Sequence, residues 1–262
     1  MDLGLKERRA LVCGASSGLG HAIATELLRE GARITICSRS RERLESARDA
    51  MVDGDGEVHL AVGDLSDSAG RRAVVDAAHE AMGGIDILVT NTGGPPSGPF
   101  EAHDLDTWRA AYEGLLESVV ELTGMVLPEM KERGWGRIVN VTSISVKQPV
   151  EGLILSNTLR AGVTGFARTV ANAVAADGIT INNVLPGYTR TERLVDLAEA
   201  GAERSGGSPD DVFARWEDEI PAGRLGEPEE LAALATFLCS TRAGYITGQS
   251  VAVDGGWIRS LV

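Results

Sequence analysis

Basic charge is scarce in this chain. Its 262 residues hold 25 Lys and Arg against 38 Asp and Glu, for a net charge of −13 and a pI of about 4.8. Nucleic-acid binding needs a basic surface that neutralises phosphates, so that function class is excluded. The acidity serves solubility and still leaves room for one local site that takes an anionic cofactor. Cysteine is sparse too. Cys13, Cys37 and Cys239 are odd in number, widely spaced and set in apolar runs with no C-x-x-C. That pattern excludes a disulfide framework or a zinc cluster and reads as buried reduced thiols. His21, His59, His79 and His103 lack metal-ligand spacing, so no metal is expected. No apolar run approaches the ~20 residues that cross a bilayer. The stretch from Met1 to Arg9 is charged and has no signal-peptide core, so a cytoplasmic location is expected.

What is present is ordinary for a globular chain: 43% hydrophobic and 24% charged residues, with 32 glycines that follow no collagen-like period and therefore read as turns. Strand-like apolar runs alternate with helix-period segments. Strands are expected at Ala10–Cys13, Arg33–Cys37, Val58–Val62, Ile85–Val89, Arg137–Val141, Ile179–Val184 and Ser250–Val253. Helices are expected after Leu19 as far as Gly31, over Arg41–Met51, through Val74 to Ala78, and over Trp108–Met130, Ala161–Ala176 and Leu231–Cys239. The alternation implies an α/β fold: a doubly wound parallel sheet in a single Rossmann-type domain over residues 1–262. Residues 188–221 are the least regular and carry Gly201, Gly206, Gly207 and Pro209 with helical pieces either side, so a lid-like insertion is expected there.

The first strand runs into Gly14-Ala15-Ser16-Ser17-Gly18-Leu19-Gly20 and then a helix. Glycines let backbone N–H groups approach a pyrophosphate, and a helix N-terminus favours its charge. The spacing is G-x-x-x-G-x-G, and an ordinary glycine turn is the competing reading. The second strand ends Cys37-Ser38-Arg39-Ser40-Arg41. An acidic residue there would bond the ribose 2′-hydroxyl of NAD and repel a 2′-phosphate. Ser38 leaves room and Arg39 can pair with a phosphate, so NADP(H) is expected. The alternative is that Arg39 and Arg41 are solvated charges at a helix start. Asp64, followed by Leu65, has two roles open: accepting from the adenine amino group, or capping the next helix.

These residues carry a resemblance. Gly14–Gly20, Asn91-Thr92-Gly93-Gly94, the run Gly136-Arg137-Ile138-Val139-Asn140-Val141-Thr142-Ser143, Pro186-Gly187 with Thr191, Gly223–Glu230, Ile246–Gln249 and Val253–Gly256 stand in order from residue 5 to residue 257. Together they resemble the short-chain dehydrogenase/reductase family, in its ketoacyl-reductase-like form. The resemblance implies a cofactor cleft that includes Asn91, Gly93, Pro186 and Gly187, and a catalytic serine at Ser143. It also implies a homotetramer, with a homodimer second. Gly162, Gly165, Ala167, Ala171 and Ala175 supply small residues for close helix contact. The family's Tyr-x-x-x-Lys falls on Ser156 and Arg160, and its helix asparagine on Leu115.

That departure bears on chemistry. Ketone reduction needs a hydride and a proton on the developing alkoxide. Tyrosine, with a reference pKa of about 10, becomes a useful acid beside an ammonium, whereas a serine hydroxyl is far weaker. Arg160 can hold ribose hydroxyls but releases no proton near neutral pH. Tyr188, just past Pro186-Gly187, and Lys147, after Ser143, are candidate replacement acids. Tyr188 reads equally as a lid residue packing on cofactor or substrate, and Lys147 as a solvated charge. Two functions stay open: an NADP(H)-dependent oxidoreductase acting on a small carbonyl or alcohol through a changed relay, or a non-catalytic NADP(H)-binding sensor or subunit partner.

Overall fold

Strands β1 (Arg9–Cys13), β2 (Arg33–Ser38), β3 (Val58–Val62), β4 (Ile87–Thr90), β5 (Gly136–Val141), β6 (Ile179–Pro186) and β7 (Ser250–Val253) form one parallel sheet in the order 3-2-1-4-5-6-7. The computed structural model describes residues 1–51 and 57–261, with residues 204 and 205 described by backbone alone. Residues 52–56 and Val262 of the expected domain lie outside the described residues. The central strands are buried on both faces because their apolar runs do not alternate with polar residues, as a sheet sandwiched between helices requires.

One face packs on α1 (Gly18–Arg29), α2 (Arg41–Met51) and α9 (Pro228–Cys239), through Ile23, Leu27, Leu44 and Leu238 against Val12, Ile34 and Val139. The other packs on α3 (Ser68–Met82), α5 (Ser118–Arg133) and α6 (Ile154–Val174), through Val74, Leu122, Val126 and Ala171 against Leu11, Leu88 and Ile138. The strand order reverses between β1 and β4, and the crevice outside their carboxyl ends is where such sheets bind ligands. A polar ladder ties that end together. Thr90 Oγ1 donates to Asn140 Oδ1 at 2.7 Å, Asn140 Nδ2 to Asn183 Oδ1 at 3.0 Å, and Asn183 Nδ2 to Ser250 Oγ at 3.0 Å. The strand register aligns these four residues across β4 to β7.

Two elements differ from the expectations. The helix expected over Trp108–Met130 begins earlier, as α4 (Leu105–Tyr112), because Asp104 caps it by accepting from Thr107 N at 2.8 Å. A single π-helical turn over Glu113–Glu117 then joins it to α5. Carbonyls freed by the wide turn find side chains: Arg71 Nη1 donates to Glu113 O at 3.3 Å and Ser118 Oγ to Gly114 O at 2.7 Å. Helix α6 starts at Ile154 rather than Ala161, so Ser156 and Arg160 lie on its first two turns. Residues 188–221 contain two regular helices, α7 (Glu192–Ser205) and α8 (Pro209–Glu219). Thr191 caps the first, and a Ser208–Asp211 capping box with Pro209 starts the second. Leu194, Ala198, Val212 and Trp216 join Leu185, Leu225 and Trp257 in a third apolar cluster.

Candidate active site

The glycine turn is shaped by close approaches. Gly14 has φ 57°, and a Cβ there would meet Asn91 O at 2.5 Å. A Cβ on Gly20 would meet Gly14 O at 2.3 Å, so only glycine lets α1 start this tightly under β1. The N-cap of α1, Ser17, makes no side-chain capping bond, which leaves first-turn N–H groups for an anion.

A cavity of about 1070 Å³ opens over this turn and runs to the start of α7. It brings together Gly14, Ser16, Ser17, Gly18, Leu19, Arg39, Asp64, Leu65, Asn91 and Gly93 at one end and Ser143, Ser156, Arg160, Pro186, Gly187 and Tyr188 at the other. Leu115, at the π-helical turn, lines it as well. Ser38 and Gly20 are not on its wall. Ser38 Oγ is turned to Ser40, accepting from its N–H at 3.3 Å, and Gly20 packs beneath Gly14. Asp64 does not cap α3, because Asp67 holds that position and accepts from Gly70 N at 3.0 Å. Asp64 instead accepts from Ser66 N at 3.0 Å; this bond, the Ser66 hydroxyl and the Arg39 charge hold its carboxyl below the usual range.

At the far end, Ser143 follows β5 and caps a short 3-10 turn, its Oγ accepting from Ser145 N at 3.1 Å. One lone pair is thereby used, and the O–H is free to donate. Ser156 is buried, and its hydroxyl makes no hydrogen bond among the described residues. Arg160 Nη1 donates to Val141 O at 2.8 Å. Burial, then the charge of Arg193, pushes its guanidinium down to about 10, so it stays protonated at neutral pH. Tyr188 stacks on Trp216, and burial followed by the Glu219 charge pushes its phenol up to about 12. Lys147 is exposed and off the cavity wall.

Arg43, Glu192 and Arg193 line the cavity and escape the sequence reading. Arg43, one helical turn after Arg39, pairs with Glu192 Oε2 at 2.7 Å. Glu192 thus links α2 to the first turn of α7 across the mouth. Arg193, beside it, reaches inward and donates through Nη2 to Pro95 O at 2.7 Å. The i,i+4 spacing of Arg39 and Arg43 is a usable sequence signal; for Glu192 and Arg193 only their nearness to Thr191 is.

The family model described as enoyl-(acyl carrier protein) reductase matches residues 14–258. The chain belongs to the short-chain dehydrogenase/reductase family. This short-chain dehydrogenase/reductase is 33% identical to the 3-oxoacyl-acyl-carrier-protein reductase FabG of Vibrio cholerae over 254 residues, covering 97% of this chain and 98% of that protein. It is 28% identical to the NADPH-dependent reductase BacG of Bacillus subtilis, covering 98% and 100% of the two chains. Its fold superposes with a TM-score of 0.93 on the L-sorbose reductase of Gluconobacter frateurii complexed with NADPH and L-sorbose, at 33% identity and full coverage of both chains.

Proposed function

We propose that this protein is an NADP(H)-dependent oxidoreductase that interconverts a carbonyl and an alcohol, in the manner of ketoacyl reductases, through a proton relay lacking the family's tyrosine and lysine. The observation that carries the reading is the single cavity on which Ser143 and Arg160 share a wall with the glycine turn and Arg39. The NADPH complex of the Gluconobacter frateurii sorbose reductase supports it from outside the chain.

The residues fit the cofactor. Gly14 and Gly20 leave the space a pyrophosphate needs, and the first turn of α1 offers N–H groups. Arg39 and Arg43 would hold a 2′-phosphate. Asp64 and Leu65 lie on the adenine side; Asn91, Gly93, Pro186 and Gly187 lie on the nicotinamide side, where Arg160 would hold ribose hydroxyls. Reduced nicotinamide, when bound, supplies the hydride.

The rest falls to side chains. Ser143 donates to the substrate oxygen and stabilises its growing negative charge. Ser156 occupies the family's tyrosine position and Leu115 its asparagine position, and neither is a useful acid. Water in the cavity supplies the proton. The raised phenol of Tyr188 and its stacked ring support a packing role for that residue. Helices α7 and α8 serve as the lid over the substrate. The assembly is a homotetramer or, second, a homodimer.

The non-catalytic reading is favoured by Ser156 and Leu115. Following reduced-nicotinamide absorbance against ketones, aldehydes and quinones separates the two. Turnover that falls about 10²-fold in Ser143→Ala supports the oxidoreductase, and tight NADP(H) binding with no turnover supports the sensor.

A further inference from the structure

The cavity has an unbalanced charge at its substrate end. Three of the four acids on its wall are engaged by other residues. Asp64 bonds Ser66, Asp106 pairs with Arg109 at 2.5 Å, and Glu192 pairs with Arg43 at 2.7 Å. Asp196 is exposed on α7 and makes no ion pair with Arg193, although its charge raises the Arg193 pKa from a distance. Arg160 and Arg193 make no ion pair among the described residues.

The two arginines are held in place by carbonyls alone. Arg160 donates to Val141 O at 2.8 Å, and Arg193 to Pro95 O at 2.7 Å. The Arg193 guanidinium lies directly over Gly94, where an added Cβ would fall 2.6 Å from Nε. A side chain at residue 94 would therefore push the guanidinium aside. Each guanidinium carries five N–H donors, and most of these remain unused. Burial lowers the pKa of both; the Arg193 charge adds to the lowering at Arg160, while the Asp196 charge partly offsets it at Arg193. Two half-buried cations facing one cavity gain most from an anion placed between them.

The cofactor's own anions are served elsewhere. The glycine turn with the first turn of α1 takes the pyrophosphate, and Arg39 with Arg43 takes the 2′-phosphate. Arg160 is instead anchored two residues before Ser143, where the substrate oxygen binds. An anion at this pair thus belongs to the same small molecule as the reacting carbonyl.

We infer that Arg193, with the N–H groups of Arg160 that the ribose hydroxyls leave unused, is a carboxylate clamp that selects short oxo acids and the matching hydroxy acids over neutral carbonyls. This rests on the oxidoreductase reading above. Arg193 sets specificity: it sits on the lid, where the bidentate fork of a guanidinium matches a carboxylate.

The test compares acetoacetate and pyruvate with their methyl esters, using the wild type, Arg193→Met and Arg193→Lys. NADPH affinity is measured for each protein by fluorescence. The wild type is expected to prefer acid over ester in kcat/KM. Arg193→Met is expected to cut that preference about 100-fold, the effect of losing one partner of a buried charged pair. NADPH affinity should stay within about threefold. Arg193→Lys should keep part of the preference and so report that the lid still folds. A binding arm is independent of turnover: malonate should bind the NADP⁺-loaded wild type in a calorimeter and lose that binding in Arg193→Met. Equal use of ester and acid by the wild type overturns the clamp. So does an unchanged ratio in Arg193→Met, or a loss of NADPH affinity that matches the loss of rate, which would assign the arginine to the cofactor. If no carbonyl of any charge turns over, the oxidoreductase reading fails by itself, and malonate binding alone decides the anion site.

Discussion

The ring of Tyr188 stacks on the indole of Trp216, with centroids 4.8 Å apart and planes 17° from parallel. Trp257 meets the same ring edge-on at 5.8 Å. A phenol pushed up to about 12 by burial and by Glu219 is a poorer acid than a free tyrosine. Tyr188→Phe keeps the stack and is expected to leave kcat/KM within about threefold. Tyr188→Ala removes it and should cost about 2–4 kcal/mol in urea unfolding. A fall of 10² or more in the phenylalanine variant would instead make Tyr188 the proton donor.

Cofactor choice follows from β2 and the start of α2. Ser38 brings no carboxylate, and Arg39 and Arg43 line the cavity at the end that holds the glycine turn. The protein is expected to bind NADPH more tightly than NADH in a calorimetric titration. Arg39→Ala should weaken NADPH by about 10-fold or more and leave NADH unchanged, because only the first carries the extra phosphate. Equal affinities in the wild type would contradict this.

Acid stability should depend on Asp86, at the foot of β4. Burial raises its pKa, but bonds from the Arg9 side chain and backbone and the charges of Arg9 and Arg133 more than offset this and leave it lowered. A lowered folded value means the stabilisation is complete above the unfolded pKa of about 3.9 and is lost as pH falls through the folded value. Asp86→Asn should cost about 2–3 kcal/mol at pH 7. It should also flatten the decline of stability below about pH 4. A variant whose unfolding curve tracks the wild type from pH 7 to pH 3 would remove Asp86 from the account.

The expected assembly through α6 takes one correction. Ala167 and Ala171 pack in the subunit's own core against β5 and β6 and are unavailable to a partner. Gly162, Gly165 and Ala175 stay exposed, and Tyr112 and Val120 are exposed apolar side chains on α4 and α5. Light scattering at micromolar concentration is expected to give a tetramer or a dimer. Gly165→Trp should shift the distribution toward smaller species. A strictly monomeric wild type would be the contrary result.

The strands were legible because a sheet covered on both faces demands unbroken apolar runs such as Ala10–Cys13 and Ile179–Val184. The glycine turn was legible because its close approaches allow no side chain. The start of α4 was missed although Asp104-x-x-Thr107 signals a cap, since the apolar period begins only at Trp108. The π-helical turn leaves no local signature: it depends on Arg71, which comes from α3, more than 40 residues earlier in the chain. Arg193 escaped notice for a similar reason. Its hydrogen-bond partner, Pro95, lies in the loop after β4, and no spacing within α7 reveals it. Within residues 188–221, Gly201 lies inside α7, while Gly206 ends that helix and Pro209 starts α8.

The central claim is that carbonyl reduction proceeds in this cavity without the family's tyrosine and lysine. It is tested most directly by measuring NADPH-dependent alcohol formation by the wild type beside a Ser156→Tyr, Arg160→Lys double variant. The wild type should form alcohol in step with NADPH loss, and the double variant should be faster by about 10²–10⁴-fold, the usual worth of a general acid. A wild type that binds NADPH tightly yet forms no alcohol, beside a double variant that does, would contradict the claim and leave the protein a cofactor-binding partner.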